Sequence, residues 1–417
     1  MNILFVHQNM PGQYRELVGW LAARKAHRIV FLTQREKVQP IAGVTVARYK
    51  PHHKADEGAY PLSRYFEDCM GAGLGAHLAC RKLDEQGFRP DIIIGHAGWG
   101  ELAFLKQVWK DVPILGYWEY YFLSEGGSIG FDPEFPPGEA IAQITRARNA
   151  VNHLCLPDVD LGQSPTAWQM ATFPPEFGAK SYVCHDGIRT DLLGPDPAAT
   201  VGLGRLRRRV GRDDEVFTYM ARNMEPTRGF HIFMRALPEI LAARPQARAL
   251  VIGGNATSYG PDSPDEGGYR GRMEKELGDR VDWSRVHFLG RVPYDDFRRV
   301  IQISRAHIYL TVPFVLSWSL LEAMAMGAVV IASDTAPVRE VVRAGETGLL
   351  VDFLDPAALA RQVIAVLERP QDYAALGQAA RRHMVETYDF NTRALAVHLE
   401  KINSLLPRKL AIAPAAG

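Results

Sequence analysis

Short, mostly apolar runs recur along this chain, at 2–7, 28–32, 91–96, 113–118, 216–221, 249–254, 286–289 and 307–312. A strand that is apolar along its whole length is buried on both faces, and that pattern belongs to parallel sheets. The stretches between the runs have helical spacing and supply the crossovers. The alternation breaks at 194–211, where Pro, Gly and several arginines gather, and restarts at Val216. We read two doubly wound α/β halves facing each other over a cleft. The first is an N-terminal domain over 1–195 and the second a C-terminal domain over 196–387, with 194–211 as the linker.

Bulk properties exclude several classes. A formal net charge of +1 over 417 residues gives no general attraction to nucleic acid. The four cysteines, Cys69, Cys80, Cys155 and Cys184, are scattered without a C-x-x-C pair, which suits reduced thiols. The chain opens directly in an apolar strand and holds no long apolar stretch. We therefore expect no signal peptide, no transmembrane segment and a cytoplasmic protein. The run 204–212 is rich in arginine. It is either a patch for anionic lipid heads or an acidic partner, or a solvated face beside the linker.

The most informative stretch is 313–340. It predicts a turn ending at Ser317, a short helix over about 318–326, a strand over 328–332 and a second helix opening near Pro337. Ser317 suits the first helix as its N-cap, and Gly327 suits its end. Trp318, Leu320, Leu321, Met324 and Met326 make that helix apolar on nearly every side, so it is buried. Yet it carries Glu322, and a buried carboxylate is costly without donors. Glu322 is a structural ion-pair member, a loop cap or a ligand group. The free N–H groups at the helix start favour an anion by about 0.3–1 kcal/mol. A carboxylate one turn inside can accept from sugar hydroxyls. Phosphate and ribose side by side describe a nucleotide.

Other candidates sit where strands end. Gly12 lies in a polar loop after the first strand and allows close backbone approach to a ligand. His96 ends a buried strand, and ligands of open α/β sheets bind at such ends; it is a binding residue or a structural one. Arg222 and Arg228 flank a tight loop at a helix start, a pattern suited to phosphate oxygens or to a solvated surface. Gly253 closes another strand. The segment 123–137 is rich in Gly and Pro and is a candidate acceptor lid; 262–272 is a polar, Gly-rich mobile loop.

The run Leu320-Leu321-Glu322-Ala323-Met324-Ala325-Met326-Gly327 resembles the second half of the Glu-x7-Glu signature of retaining family 4 glycosyltransferases. The first half departs: Phe314 stands at the first Glu, and Val315-Leu316-Ser317 replace Gly-Phe-Gly. The resemblance implies GT-B architecture, two Rossmann-like domains with a C-terminal helix, about 388–410, returning to the first. It implies that Arg222, Arg228 and Gly229 hold a donor diphosphate, with Arg228 at the family's lysine. Phe288, Gly290, Arg291 and Val292 match a base-contacting strand exit. Glu322 matches the ribose acceptor, Trp318 and Ser319 offer amides to phosphate, and Glu340 matches a helix-opening Glu. His96 looks like the residue that contacts the donor sugar, and Gly12 like the glycine under the diphosphate. Phe314 takes the place of the carboxylate that touches the sugar.

The implied reaction is same-face transfer of a sugar from a nucleotide-diphosphate sugar to an acceptor hydroxyl. Positive charge from Arg222 and Arg228 would sit on the departing diphosphate. No metal and no cofactor beyond the donor is implied, and no Asp-x-Asp is placed to bind a metal. The acceptor is a saccharide, a lipid-linked sugar or a protein, with peripheral contact at the inner membrane face. A second reading is a catalytically silent nucleotide-binding or partner protein, motivated by Phe314. A third, an epimerase or dinucleotide oxidoreductase of similar shape, lacks the G-x-G-x-x-G fingerprint on its oxidoreductase side.

Overall fold

A computed structural model describes residues 1–204, 208–260 and 262–410. The chain forms two compact units. Unit 1 comprises 1–129, 136–187 and the segment from Phe390 onward, and unit 2 comprises 130–135 and 188–389. The sequence reading drew its boundaries at 195/196 and 387/388.

Unit 1 holds seven strands: β1 (Asn2–Val6), β2 (Arg28–Thr33), β3 (Val44–Arg48), β4 (Ile92–His96), β5 (Ile114–Tyr117), β6 (Leu161–Ser164) and β7 (Ser181–Val183). Their spatial order is β3-β2-β1-β4-β5-β6-β7, and every pairing is parallel. Alternation along β1 shows why its run is apolar throughout. Leu4 and Val6 enter one core cluster while Ile3 and Phe5 enter another on the opposite face. The second cluster also takes Phe390, Leu395, Leu399 and Ile402 from the C-terminal helical segment.

Along the chain, after the last strand of unit 1, comes an antiparallel hairpin that belongs to unit 2, β8 (Thr200–Leu203) with β9 (Arg208–Gly211). The region read as a linker therefore contains paired strands. Val210 and Leu203 are buried in the core of unit 2, which anchors the hairpin. The arginine-rich run lies partly outside the described residues.

Unit 2 carries β10 (Val216–Asn223), β11 (Arg248–Gly254), β12 (Val286–Gly290), β13 (Ala306–Tyr309), β14 (Val330–Ser333) and β15 (Leu349–Val351). Their order is β12-β11-β10-β13-β14-β15, again all parallel. In each sheet the strand order reverses once, between β1 and β4 and between β10 and β13. Ligands of open α/β sheets bind at the carboxyl ends of strands beside such a reversal. In this chain those ends carry His7, His96, Arg222 and Thr311.

Three local expectations are corrected. The segment after His96 makes turns and a 3-10 turn at Leu105–Gln107 rather than an α-helix. The stretch 262–272 is not a loop throughout, because a helix begins at Gly268 and runs to Leu277. The middle of loop 123–137 is pinned: Asp132 lies 2.8 Å from His231, Glu134 pairs with Arg235 and Arg272, and Phe135 meets His231 and Tyr269 edge-on.

Candidate functional site

In unit 2 the opening stretch folds as its sequence dictates. Ser317 caps the helix Trp318–Ala325, its side chain accepting from the Ser319 amide at 3.3 Å. At the other end Gly327 N donates to Met324 O and Ala328 N to Ala323 O, the paired bonds of a glycine-closed helix terminus. The helix is buried, including Glu322. One oxygen of Glu322 already has a donor, the Tyr294 hydroxyl at 2.7 Å.

Arg228 is the centre of this region. It is 7% exposed, and its Nη1 donates to Thr311 Oγ1 at 2.8 Å and to Val315 O at 3.1 Å. These bonds tie the loop after β10 to the chain after β13. Tyr259 and Phe314 flank the guanidinium, their ring centroids 5.5 and 5.6 Å from its carbon, and they meet each other at 4.8 Å. The Tyr309 hydroxyl, which accepts from the Ser317 amide at 2.8 Å, borders the same group. Gly229 adopts φ +64°, and a Cβ there would lie 2.5 Å from the Leu310 side chain, so only glycine lets Arg228 approach β13 this closely.

Arg222 is different. It is the penultimate residue of β10 and is exposed, and its side chain makes no hydrogen bond or ion pair among the described residues, though its charge lowers the Glu225 carboxyl. Arg291 is exposed too, but its Nη2 donates to Asn223 Oδ1 at 3.1 Å, and Asn223 Nδ2 donates to Ser258 Oγ at 2.6 Å. The loop carrying Ser258 and Tyr259 is held by Glu225, fully buried, whose Oε2 accepts both amides at 2.9 and 2.8 Å. Burial pushes the Glu225 carboxyl above its ordinary range, and the two amides draw it part of the way back. Loop 258–259 therefore links two groups, Arg291 with Asn223 and Arg228 with Phe314.

The remaining predicted residues of unit 2 fall in less telling places. A Cβ on Gly253 would lie 2.8 Å from Ala221 O, whereas one on its neighbour Gly254 would lie 2.4 Å from Asn223 Oδ1 and 2.9 Å from Arg291 Nε. Gly254 is the closer to the charged groups. Val292 packs against the core, Phe288 carries the Arg270 guanidinium over its ring at 3.9 Å, and Glu340 is exposed after the short helix Ala336–Arg339. Of the two amides predicted to face phosphate, that of Ser319 is already capped by Ser317.

In unit 1, His96 and Gly12 belong to one polar cluster at the carboxyl ends of β1, β4 and β5. A Cβ on Gly12 would lie 2.5–2.8 Å from three His7 ring atoms, and its φ is +54°. His7 is buried, and its Nδ1 accepts from the Asn9 amide at 2.8 Å. That leaves its proton on Nε2, which donates to Gln13 Oε1. Burial, with His96 nearby, lowers the His7 imidazole to about 3, so it is neutral at physiological pH. Gln13 Nε2 donates to Glu119 Oε1 at 2.9 Å. His96 accepts the Gly98 amide on Nδ1 at 3.1 Å, stacks on Trp99 at 3.6 Å, and sets Nε2 3.4 Å from Glu119 Oε2. A polar cavity of about 680 Å³, lined by Gln8, Asn9, Gln34, Arg35, Glu36 and Lys37, adjoins the β1 and β2 exits; none of the predicted residues lines it.

Sequence reasoning missed Glu225, Tyr259, Tyr294 and Thr311 in unit 2, and His7, Gln13 and Glu119 in unit 1, as working parts. Glu225 had a signal, an acid between two arginines and directly before a proline. The others become partners only through the fold. Among the described residues no group of three or more His, Cys, Asp or Glu is placed to hold a metal ion. No helix among them is long and apolar enough to cross a membrane.

Residues 25–193 match the glycosyl transferase family 4 group and residues 205–383 the glycosyl transferases group 1. The chain is 32% identical over 318 residues to the D-inositol 3-phosphate glycosyltransferase of Corynebacterium efficiens, covering 74% of this chain and 68% of that protein. It is 33% identical over 193 residues to the phosphatidyl-myo-inositol mannosyltransferase of Mycobacterium tuberculosis, a match covering 44% of this chain and 46% of that protein. The chain thus spans about half the length of the mycobacterial relatives it matches. Two solved structures share the fold. The sucrose-phosphate synthase of Thermosynechococcus elongatus superposes with a TM-score of 0.68 at 16% identity, covering 96% of this chain and 98% of that one. The HepE protein of Anabaena, in complex with UDP-glucose, gives 0.66 at 18% identity, covering 97% and 100%. The architecture is GT-B, as the resemblance implied.

Proposed function

The chain belongs to the glycosyl transferases group 1 family, and from that premise we propose that it is a retaining, metal-independent glycosyltransferase. It moves a sugar from a nucleotide-diphosphate sugar to an acceptor hydroxyl in glycoconjugate biosynthesis. The observation that carries the reading is the buried Arg228. It is held at the carboxyl end of a β10/β13 reversal beside a helix start, with the exposed Arg222 at the end of the strand that leads into the same loop. Two such cations suit a diphosphate leaving group, whose charge grows as the glycosidic bond breaks. Glu322 keeps the place of the ribose acceptor, shared with Tyr294.

Relatives are named for GDP-mannose and for phosphatidylinositol acceptors, and a structural neighbour binds UDP-glucose. A guanosine or uridine diphosphate sugar and a polyol or glycolipid acceptor are therefore the first to try, with the protein working at the cytoplasmic membrane face. The test is thermal stabilisation by UDP, GDP, ADP and TDP and their sugars. A ligand at about 100 times its Kd adds about 2.7 kcal/mol, a shift of several degrees in a domain of this size. One nucleotide standing out supports the reading, and no shift from any removes it. Binding without donor hydrolysis or transfer would leave the silent-binder reading in its place.

A further inference from the structure

The polar cavity of unit 1 is built from two loops, Gln8 and Asn9 leaving β1, and Gln34, Arg35, Glu36 and Lys37 leaving β2. The two strands are parallel neighbours, so both loops leave the carboxyl edge of the sheet, where ligands of such sheets bind. Hydrogen bonds fix one loop to the other. Thr33 Oγ1 donates to Gln8 O at 2.8 Å, Gln34 Nε2 to Gln8 Oε1 at 2.9 Å, and Arg35 Nε to Asn9 Oδ1 at 2.7 Å. The Asn9 amide is held in turn by His7 Nδ1.

These bonds leave a defined set of groups for a ligand. Arg35 gives only its side-chain Nε, and its two Nη groups bond to nothing among the described residues. Gln8 and Asn9 give their side-chain oxygens and keep their N–H groups, while Gln34 gives an N–H and keeps its oxygen. The Lys37 and Glu36 side chains line the cavity and make no hydrogen bond or ion pair among the described residues. The formal charge of the lining is +1, two cations against one acid, and no apolar side chain lines it. A guanidinium fork beside an ammonium suits a phosphate. Carboxamides and a carboxylate suit hydroxyls, each of which donates and accepts. The volume of about 680 Å³ is that of a small-molecule site.

We propose that this cavity binds the phosphate-bearing head of a polyol, with Arg35 and Lys37 on the phosphate and Gln8, Asn9, Gln34 and Glu36 on the hydroxyls, and that this ligand is the acceptor. The acceptor role rests on the transferase reading; the binding does not. Arg35, Glu36 and Lys37 are exposed, and exposed charges attract weakly in water. What the site adds is an Arg35 guanidinium set by Asn9 before the ligand arrives. Glu36 repels a bare phosphate, so the polyol is required as well.

The probes are myo-inositol 1-phosphate and glucose 6-phosphate, titrated calorimetrically into the full chain without nucleotide, with myo-inositol, glucose and inorganic phosphate as controls. Each sugar or polyol phosphate should bind about tenfold more tightly than any control, and Arg35→Ala and Lys37→Ala should each lose about tenfold, the scale of one charge-assisted contact. Both variants should bind UDP and GDP as the parent does. Co-flotation with phosphatidylcholine vesicles carrying phosphatidylinositol, or phosphatidylserine as an anionic control, separates a lipid head from a free phosphate. Binding to phosphatidylinositol vesicles alone, lost in Arg35→Ala, supports the same site with a lipid ligand. Equal binding to both anionic vesicles without binding of either soluble phosphate overturns the inference, and so does full affinity in both variants. Nucleotide binding by a chain that binds neither polyol phosphate nor phosphatidylinositol overturns it and leaves the transferase reading standing. Polyol phosphate binding by a chain that binds no nucleotide overturns the acceptor role together with that reading.

Discussion

The two arginines that the sequence presents as a pair are predicted to behave differently when removed. Arg228 is buried and makes two charge-assisted bonds, to Thr311 Oγ1 and Val315 O. In Arg228→Ala the part-buried Val315 carbonyl loses a donor, and the flanking Tyr259 and Phe314 rings lose their central contact. Hydrogen bonds to a charged group contribute about 1.5–3 kcal/mol each and are not fully additive, so about 3 kcal/mol is expected. For a unit of this size that is about 6–12 °C in Tm. Arg222 is exposed and bonded to nothing among the described residues, so Arg222→Ala should leave Tm within about 1 °C of the parent, as substitutions away from structural contacts do. Its whole effect should fall on the nucleotide, about tenfold in diphosphate affinity, the scale of one charge-assisted contact. The assay is a thermal shift of each variant without ligand, then a titration with the nucleotide that stabilises the parent most. If Arg222→Ala binds that nucleotide as tightly as the parent, Arg222 has no place in the clamp. If it destabilises the free chain as much as Arg228→Ala does, the division of labour is wrong.

Phe314→Glu should weaken diphosphate binding about tenfold, because a carboxylate there would pair with Arg228 and compete with phosphate; Phe314→Leu, which adds no charge, should not, and titration of both variants decides it. Glu225→Gln should be neutral or stabilising at pH 7, since burial raises the folded carboxyl and the charged form is the disfavoured one. The parent's deficit against that variant should shrink as pH falls toward the folded value, read by paired melts at pH 7 and 5. Acid should destabilise the chain through its buried histidines. Burial lowers His7 to about 3 and His307 and His398 to about 4. With folded values below the unfolded 6.5, their contribution is complete above pH 6.5 and is lost as pH falls toward those values, because the unfolded state takes up the protons. His398→Gln should flatten that slope; an unchanged slope would mean other groups govern it.

The strand runs and the opening stretch were legible because local physics decides them. A strand such as β1 must be apolar on both faces to lie inside a covered parallel sheet, and a helix such as Trp318–Ala325 announces itself by Ser317 and Gly327. The hairpin at 200–211 was not legible. Its strands are short, and the burial of Val210 and Leu203 against unit 2 decides it. The helix from Gly268 was hidden by glycines and charges that suit a loop equally well. At the site, the arginines could be named from their spacing, but not that one is buried and the other free. That difference comes from Thr311 and Val315, more than 80 residues away in the chain. Glu119 was visible only as a member of an aromatic run; its meaning depends on Gln13, 106 residues earlier.

Phe314 can be reasoned about from its surroundings rather than from what it replaces. The groups that bond or face Arg228 directly are a hydroxyl, a carbonyl and the faces of two rings, all without charge, and the nearest coupled acid is the buried Glu225, itself held by two amides. At 5.6 Å from the guanidinium carbon, a carboxylate in place of the ring would attract it by about 3 kcal/mol at an effective dielectric of 20. That attraction would hold Arg228 in place but would also neutralise it. With Phe314 the position is held by packing and by hydrogen bonds to uncharged acceptors, and the positive charge stays available to an arriving anion. A buried arginine carries a desolvation cost that its neutral partners only partly repay. A diphosphate would repay the rest. The site is held when empty and better satisfied when filled, which is the property required of a group that must stabilise a leaving diphosphate. The aromatic at 314 is therefore compatible with transfer through the diphosphate side of the reaction. Its consequence should fall on which sugar is accepted, because the ring offers the sugar no hydrogen-bond acceptor.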